Sequence, residues 1–195
     1  MKKLSTLHLL IVTTLLLASL PACTPVRMTD EGSMPMTEEN DRRSAGTVVD
    51  DQGVEMMLTK KIRSHPDLSK KVHVNVTSYN LQVLLTGEAP SAELRDQVLK
   101  MASNANNVRN VYNAISIAEP TPFSSRNNDT WITSKVKTRM LGKAEIDATR
   151  IKVLTENSWV YLMGLVTPEE ADHAAKLASE VEGVRRVVKV FEYIE

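Results

Sequence analysis

The stretch that decides the fold occurs twice: residues 74–87 read VNVTSYNLQVLLTG, and residues 151–164 read IKVLTENSWVYLMG. In both, apolar and polar side chains alternate around an Asn, and both stretches close on a glycine. Alternation of this kind is typical of strands with one buried face, and Asn tolerates the left-handed backbone of a tight turn. Each stretch therefore predicts a β-hairpin, with Asn80 or Asn157 in its turn and Gly87 or Gly164 closing its second strand.

The repeat extends beyond the hairpins at a spacing of about 77 residues. Upstream of each hairpin, apolar residues recur every four positions, which predicts a helix with one buried face. For the upstream helix of the second copy we predict Asp129 as the N-cap. Downstream, a second helix is predicted to start at Ser91 or Thr167, where Thr-Pro-Glu-Glu predicts a capping box. The apolar positions of the upstream helices are Val54, Leu58 and Ile62 in the first copy, and Ile132, Val136 and Met140 in the second.

The downstream part of each copy completes the module. The second helices are predicted to end at Asn107 and Gly183, two residues suited to the left-handed conformation. Last strands are predicted over residues 108–117 and 184–194. The order αββαβ predicts an α+β fold of two tandem modules, each a small mixed sheet packed by two helices. We place module one at residues 48–118, a linker at 119–126 and module two at 127–195.

The N-terminus carries a processing signal. Two lysines precede an apolar run from Leu9 to Leu20, which has the length of a signal peptide and is short for a membrane span. The run ends in Leu20-Pro21-Ala22-Cys23, which resembles the lipobox of bacterial lipoproteins. We therefore predict a lipoprotein signal peptide over residues 1–22 and lipidation of Cys23. The alternative is an ordinary secretory peptide with a chance cysteine.

The residues after the lipobox predict a tether. Residues 24–47 are rich in Thr, Ser, Pro and acidic side chains, and they show neither helical nor strand periodicity. We assign residues 23–47 to the lipidated cysteine and this flexible segment. Thr24, rather than Asp, follows the cysteine, which resembles the sorting signal for the outer membrane.

Charge and residue spacing exclude several classes of function. The 24 Lys and Arg balance the 24 Asp and Glu, so no overall basic field favours nucleic acid. His65, His73 and His173 do not fall at metal-ligand spacing, and the sequence has neither a Gly-rich phosphate loop nor a nucleophile elbow. We predict no enzymatic activity, no metal, no cofactor and no nucleic-acid partner.

The first helix of module two has an outward face that the core does not explain. On a helical wheel, Trp131 and Leu141 fall off the apolar stripe, with Thr138 between them and Lys135 and Arg139 beside them. Such a face is typical of a helix in a membrane interface, where Lys and Arg meet lipid phosphates and Trp lies at headgroup depth. These five residues form the candidate phospholipid-binding face. The alternative is that Trp131 packs against module one.

A family resemblance follows from the same motifs. The αββαβ repeat, with Gly87 and Gly164 in mid-module and a closing Gly183-Val184, resembles the BON domain. Module one departs from the pattern by having Asn107 in the place of the closing glycine. Two such modules behind a lipobox resemble the dual-BON outer-membrane lipoproteins.

The resemblance implies more than the residues do. It implies a lipid anchor in the outer membrane of a Gram-negative bacterium, with the protein facing the periplasm. It also implies binding of anionic phospholipid through module two, support of outer-membrane integrity, action at division sites and association with the outer-membrane protein assembly machinery. Two other functions stay open: a scaffold for envelope proteins, recruited at exposed strand edges, and a periplasmic chaperone-like module.

Overall fold

The computed structural model describes residues 43–120 and 123–195. The predicted signal peptide, Cys23 and residues 24–42 of the predicted tether lie outside the described residues. Within these, no helix is both long and apolar enough to cross a membrane. Module one consists of α1 (Ala45–Ser64), β1 (His73–Tyr79), β2 (Gln82–Ala89), α2 (Ala92–Ser103) and β3 (Asn110–Ile117). Module two consists of α3 (Phe123–Met140), a 3₁₀ turn (Ala148–Arg150), β4 (Ile151–Glu156), β5 (Trp159–Val166), α4 (Pro168–Ser179) and β6 (Arg186–Tyr193).

Each module has a three-stranded mixed sheet. In module one the order is β1-β2-β3, with β1 antiparallel and β3 parallel to the central β2. Module two repeats this arrangement with β4-β5-β6. The α+β class and the two αββαβ modules are confirmed. The helix stripes also bury as predicted, since the six apolar positions of α1 and α3 are at most 5% exposed.

Carboxylates of the first helices hold the hairpin turns. Both residues of each hairpin turn have positive φ, as in a type I′ turn. In module one the second residue of the turn is Leu81. Asp51 accepts hydrogen bonds from the backbone N–H of Asn80 (2.9 Å) and Leu81 (2.8 Å). Asp129 accepts the equivalent bonds from Asn157 (2.9 Å) and its neighbour (2.8 Å). The prediction of Asp129 as an N-cap is therefore wrong: α3 begins six residues earlier, at Phe123, which turns Asp129 toward the hairpin.

Helix ends differ from the prediction in detail. α1 begins at Ala45, inside the predicted tether, because the Ser44 hydroxyl caps it by accepting the Thr47 N–H at 3.0 Å. α2 and α4 end four residues before Asn107 and Gly183, because a short turn intervenes, yet both residues have the left-handed φ that was expected (61° and 94°). The capping box at Thr167 is present.

The glycines of β2 and β5 mark close backbone approaches. At Gly87, φ is +117°, and a Cβ would lie 2.0 Å from the carbonyl oxygen of His73. At Gly164, a Cβ would lie 2.7 Å from the carbonyl oxygen of Arg150. Neither glycine can take a side chain without a shift of the backbone opposite, which is β1 for Gly87 and the 3₁₀ turn before β4 for Gly164.

The two sheets pack on each other through the faces that their helices leave free. All eight residues of β2 are buried, which shows that both faces of this strand are covered. The apolar contact between the sheets consists of Tyr79 and Leu84 from module one and Tyr161, Met163, Leu165 and Val190 from module two. The sequence had left the packing of the modules open.

Candidate functional site

The apolar residues of the candidate face lie in solvent. The side chain of Trp131 is 49% exposed and that of Leu141 is 62% exposed. Because Ile132 and Val136 occupy the buried side of α3 with no exposure, the helix turns the tryptophan away from its own core. The structure therefore does not bury Trp131 against module one, which was the alternative interpretation.

Four of the five predicted residues line one groove. Trp131, Lys135, Thr138 and Arg139 form its α3 wall, and residues 180–182, which follow α4, form the other. Leu141 lies outside this groove, on the turn that continues α3, where its N–H still donates to the carbonyl of Lys137 at 3.1 Å. It extends the apolar surface toward the end of the helix.

The cations of the groove already have partners. The Lys135 ammonium lies 3.4 Å from the centroid of the Trp131 ring, a cation–π contact, and 3.7 Å from a carboxylate oxygen of Glu182. The Arg139 guanidinium donates to the Glu180 carboxylate. The four charged side chains are 38–88% exposed, and exposed ion pairs contribute only about 0–1 kcal/mol. An incoming anion can therefore replace either carboxylate at low cost.

Thr138 can contribute an acceptor to the groove. Its hydroxyl donates to the carbonyl of Ser134, one turn earlier in the helix, at 2.9 Å. The hydroxyl hydrogen is thus occupied, and the oxygen offers a ligand an acceptor. In this geometry Lys135 and Arg139 are the donors of the groove that would meet a phosphate.

Sequence reasoning missed the two acidic residues of the groove. Glu180 and Glu182 are adjacent to α3 only through tertiary packing, so helical periodicity gave no signal for them. The internal repeat does give one. With Ser103 aligned on Ser179, module one has Asn104 and Asn106 at the two positions.

Module one has a similar groove with different chemistry. It lies between α1 and the turn after α2. With Asp51 aligned on Asp129, Gly53 occupies the position of Trp131, and Met57 that of Lys135. A Cβ at Gly53 would meet nothing within 4 Å, so the position of the tryptophan is open space in module one. The positions of Trp131, Lys135, Glu180 and Glu182 are thus occupied by uncharged residues in module one, whereas Lys61 keeps the positive charge of Arg139.

Comparison with known proteins identifies the repeat. The BON domain matches residues 50–119 and 128–195, one match in each module. The chain belongs to the BON-domain family. Both BON matches begin inside the first helix of their module, α1 or α3, and run past the last strand.

Several relatives match both BON domains. The chain is 37% identical over 169 residues to the "21 kDa hemolysin" of Actinobacillus pleuropneumoniae, covering 87% of this chain and 86% of that protein. It is 33% identical over 164 residues to the "Outer membrane lipoprotein DolP" of Haemophilus influenzae, covering 84% and 85%. It is 23% identical over 152 residues to the "Osmotically-inducible protein Y" of Escherichia coli, covering 76% and 75%.

Proposed function

We propose that this dual-BON protein is an outer-membrane lipoprotein, anchored through Cys23 and facing the periplasm, that binds anionic phospholipid with the α3 face of its second BON domain. Through this binding it supports outer-membrane integrity, including at division sites. The observation that carries the proposal is the half-exposed Trp131 with the Lys135 ammonium 3.4 Å from its ring centroid. The printed name of the Haemophilus relative and the lipobox-like sequence support the location. The proposal gives the protein no catalytic role.

The α3 face has the composition that a headgroup region requires. Trp131 and Leu141 can enter the apolar boundary, while Lys135 and Arg139 stay level with the phosphates. The indole suits this depth because its ring is apolar and its N–H can remain hydrated. The groove adds a concave wall beside the ring, in which a headgroup can lie between the cations.

The expected affinity is low. Each cation near an anionic surface contributes about 1 kcal/mol. Trp131 and Leu141, about half of whose surface is still exposed, add roughly 1–1.5 kcal/mol each on the burial scale. The sum is about 4–5 kcal/mol, from which the repulsion of the two groove acids, Glu180 and Glu182, subtracts about 1–2 kcal/mol, so the Kd is about 1 mM or weaker. A contact of this strength acts only beside a second anchor, since a short flexible linker gives an effective concentration of about the same size. The acylated Cys23 would supply that anchor.

The experiment uses residues 24–195, which retain both BON domains and lack the acylated cysteine. We expect this chain to float with phosphatidylglycerol/phosphatidylcholine vesicles at ~10 mM lipid, and to remain at the bottom of the gradient with phosphatidylcholine alone. Trp131→Glu should lose the binding. Met56→Glu, which places the same charge on the 70%-exposed residue of α1, is the matched control and should retain it. Equal flotation of wild type and Trp131→Glu would contradict the proposal.

The second candidate is a scaffold for envelope proteins, including the outer-membrane protein assembly machinery, with a chaperone-like module as a variant of it. The observation in its favour is the edge strand β3, which exposes Ile117 (54%) and Tyr112 (38%) beside its outer edge. An exposed strand edge can accept a further strand from a partner. A photo-crosslinker at position 131 separates the candidates in cells: lipid adducts favour the membrane contact, and protein adducts alone favour the scaffold.

A further inference from the structure

The charged side chains that line the groove beside Trp131 balance one another. The groove has a volume of about 530 Å³, which is within the range of small-molecule sites. Its two cations, Lys135 and Arg139, are matched by the carboxylates of Glu182 and Glu180. An anionic headgroup alone would pair with the cations and leave both carboxylates facing a negative lipid surface. The acids therefore indicate a second, positively charged ligand group.

The hydroxyl groups of the groove are acceptors as well. The Ser134 hydroxyl donates its hydrogen to the carbonyl of Thr130 at 3.0 Å, and the Thr138 hydroxyl donates to the carbonyl of Ser134 at 2.9 Å. Because each hydroxyl has a single hydrogen, only the lone pairs of its oxygen remain for a ligand. A lipid phosphate has no hydrogen to donate to these oxygens, whereas an ammonium group has.

The Trp131 ring already holds an ammonium group in this groove. The Lys135 ammonium lies 3.4 Å from the ring centroid and 3.7 Å from a carboxylate oxygen of Glu182. An aromatic face beside a carboxylate binds organic ammonium groups, since the ring quadrupole and the carboxylate both attract positive charge. The lysine side chain is 38% exposed, so its ammonium can leave the ring for a lipid phosphate. The amino group of a ligand can then take its place.

We propose that this groove binds the headgroup of phosphatidylethanolamine. Lys135 and Arg139 take its phosphate, and its ammonium lies between the Trp131 ring and the carboxylates of Glu180 and Glu182. The inference rests on the proposed function, since it concerns the same face, and it adds a second lipid class to the anionic one. The headgroup exchanges cation for phosphate and carboxylate for ammonium at once, so the charges of the groove remain paired. Anionic lipid attracts the domain to the surface, and ethanolamine occupies the groove.

The acceptors favour a primary ammonium over a quaternary one. The ammonium of phosphatidylethanolamine has three N–H donors, which suit the carboxylates of the groove and the oxygens of Ser134 and Thr138. The quaternary ammonium of phosphatidylcholine has no N–H, and three methyl groups surround its charge. The Trp131 ring attracts both groups. Discrimination between the two headgroups therefore depends on the acceptors, above all on Glu180 and Glu182.

The test compares flotation of residues 24–195 with two kinds of vesicle, in which phosphatidylethanolamine or phosphatidylcholine accompanies one fixed fraction of phosphatidylglycerol. We expect the Kd of wild type to be about three- to fivefold lower with phosphatidylethanolamine, since an exposed ion pair is worth at most about fivefold in affinity. Glu180→Gln with Glu182→Gln should respond by less than about twofold, because neutral amides do not attract the ammonium.

The matched control accounts for lipid packing, which phosphatidylethanolamine changes for every bound protein. Glu93→Gln with Glu119→Gln removes two exposed acids from the first domain and should keep the full wild-type response. A response of the groove variant as large as that of wild type overturns the inference.

A second measurement keeps the wild-type chain and changes the lipid. Replacing phosphatidylethanolamine by its N-methyl and N,N-dimethyl derivatives removes the N–H donors one at a time while the positive charge stays. We expect the affinity to fall with each methyl group. Equal affinity for the ethanolamine and choline mixtures overturns the inference and leaves the proposed function standing, because binding to phosphatidylglycerol/phosphatidylcholine vesicles tests the latter. A wild-type chain that binds neither mixture overturns both.

Discussion

Replacing Glu180 and Glu182 together by Gln should strengthen the binding of the second BON domain to anionic vesicles. The two carboxylates pair with Arg139 and Lys135, the cations that would meet lipid phosphates. They also place two negative charges on a wall of the groove that would face the membrane. Their removal frees the cations and lowers the repulsion from the lipid surface, while the volume of the side chains is kept.

The size of the effect follows from the charges. A unit charge near an anionic surface changes the binding free energy by about 1 kcal/mol, so two acids at full contact would contribute about 2 kcal/mol, or roughly thirtyfold in affinity. Glu182 is 88% exposed and 3.7 Å from its lysine, whereas Glu180 is 42% exposed in a closer pair. We therefore expect a five- to thirtyfold gain for the double variant, most of it from Glu180→Gln.

The assay is partition of residues 24–195 between buffer and phosphatidylglycerol/phosphatidylcholine vesicles at about 0.1 M salt, where the screening length is about 10 Å. The gain in affinity should be smaller at 0.5 M salt, because the higher salt concentration shortens the screening length. Glu93→Gln with Glu119→Gln, two exposed acids of the first domain, changes the net charge equally and should gain little. An unchanged affinity of the groove variant, or an equal gain by this control, would refute the role assigned to the two acids.

Three further outcomes are expected. Gly53→Trp combined with Met57→Lys should give the first BON domain a lipid-binding face, because a side chain at position 53 enters open space; flotation at fixed lipid should rise. Asp129→Asn should destabilise the chain by about 1.5–3 kcal/mol in urea unfolding, since a charged acceptor of two backbone N–H groups becomes neutral; an unchanged midpoint would contradict its role in the turn. Gly87→Ala should cost more than about 2 kcal/mol, because its Cβ would lie 2.0 Å from a carbonyl oxygen of β1, and Gly53→Ala in an open helix position is the control that should be tolerated.

The sequence predicted those features of the fold that depend on interactions between neighbouring residues. The Asn turns, the buried stripes of α1 and α3 and the capping box at Thr167 all depend on residues within a few positions of one another. Asp129 was misassigned because an acid just before an apolar stripe is a good N-cap. The sequence does carry a start signal before Phe123, the pair Thr121-Pro122, but we assigned these residues to the linker.

The contact between the domains depends on residues that are distant in sequence. One signal for it was present: Val83, Leu84 and Leu85 are consecutive apolar residues in β2, as are the residues from Val160 to Met163 in β5. Strands with both faces buried read as continuous apolar runs, so each sheet needed a second covering layer. No pattern pairs Glu180 with Arg139, because only the packing of α3 beside α4 brings the turn after α4 to the groove.

Each hairpin turn forms hydrogen bonds both within its own domain and to the other domain. Asn80 gives its backbone N–H to Asp51 in its own domain and its side-chain amide to Glu192 in the other (2.8 Å). Asn157 does the same with Asp129 and Glu88. A chain cut between the repeats would lose a hydrogen-bonding partner at each turn and expose the apolar face of each sheet, so we expect each repeat alone to be less stable. The duplicated modules therefore share their turns, and a change at either asparagine would remove hydrogen bonds in both copies at once.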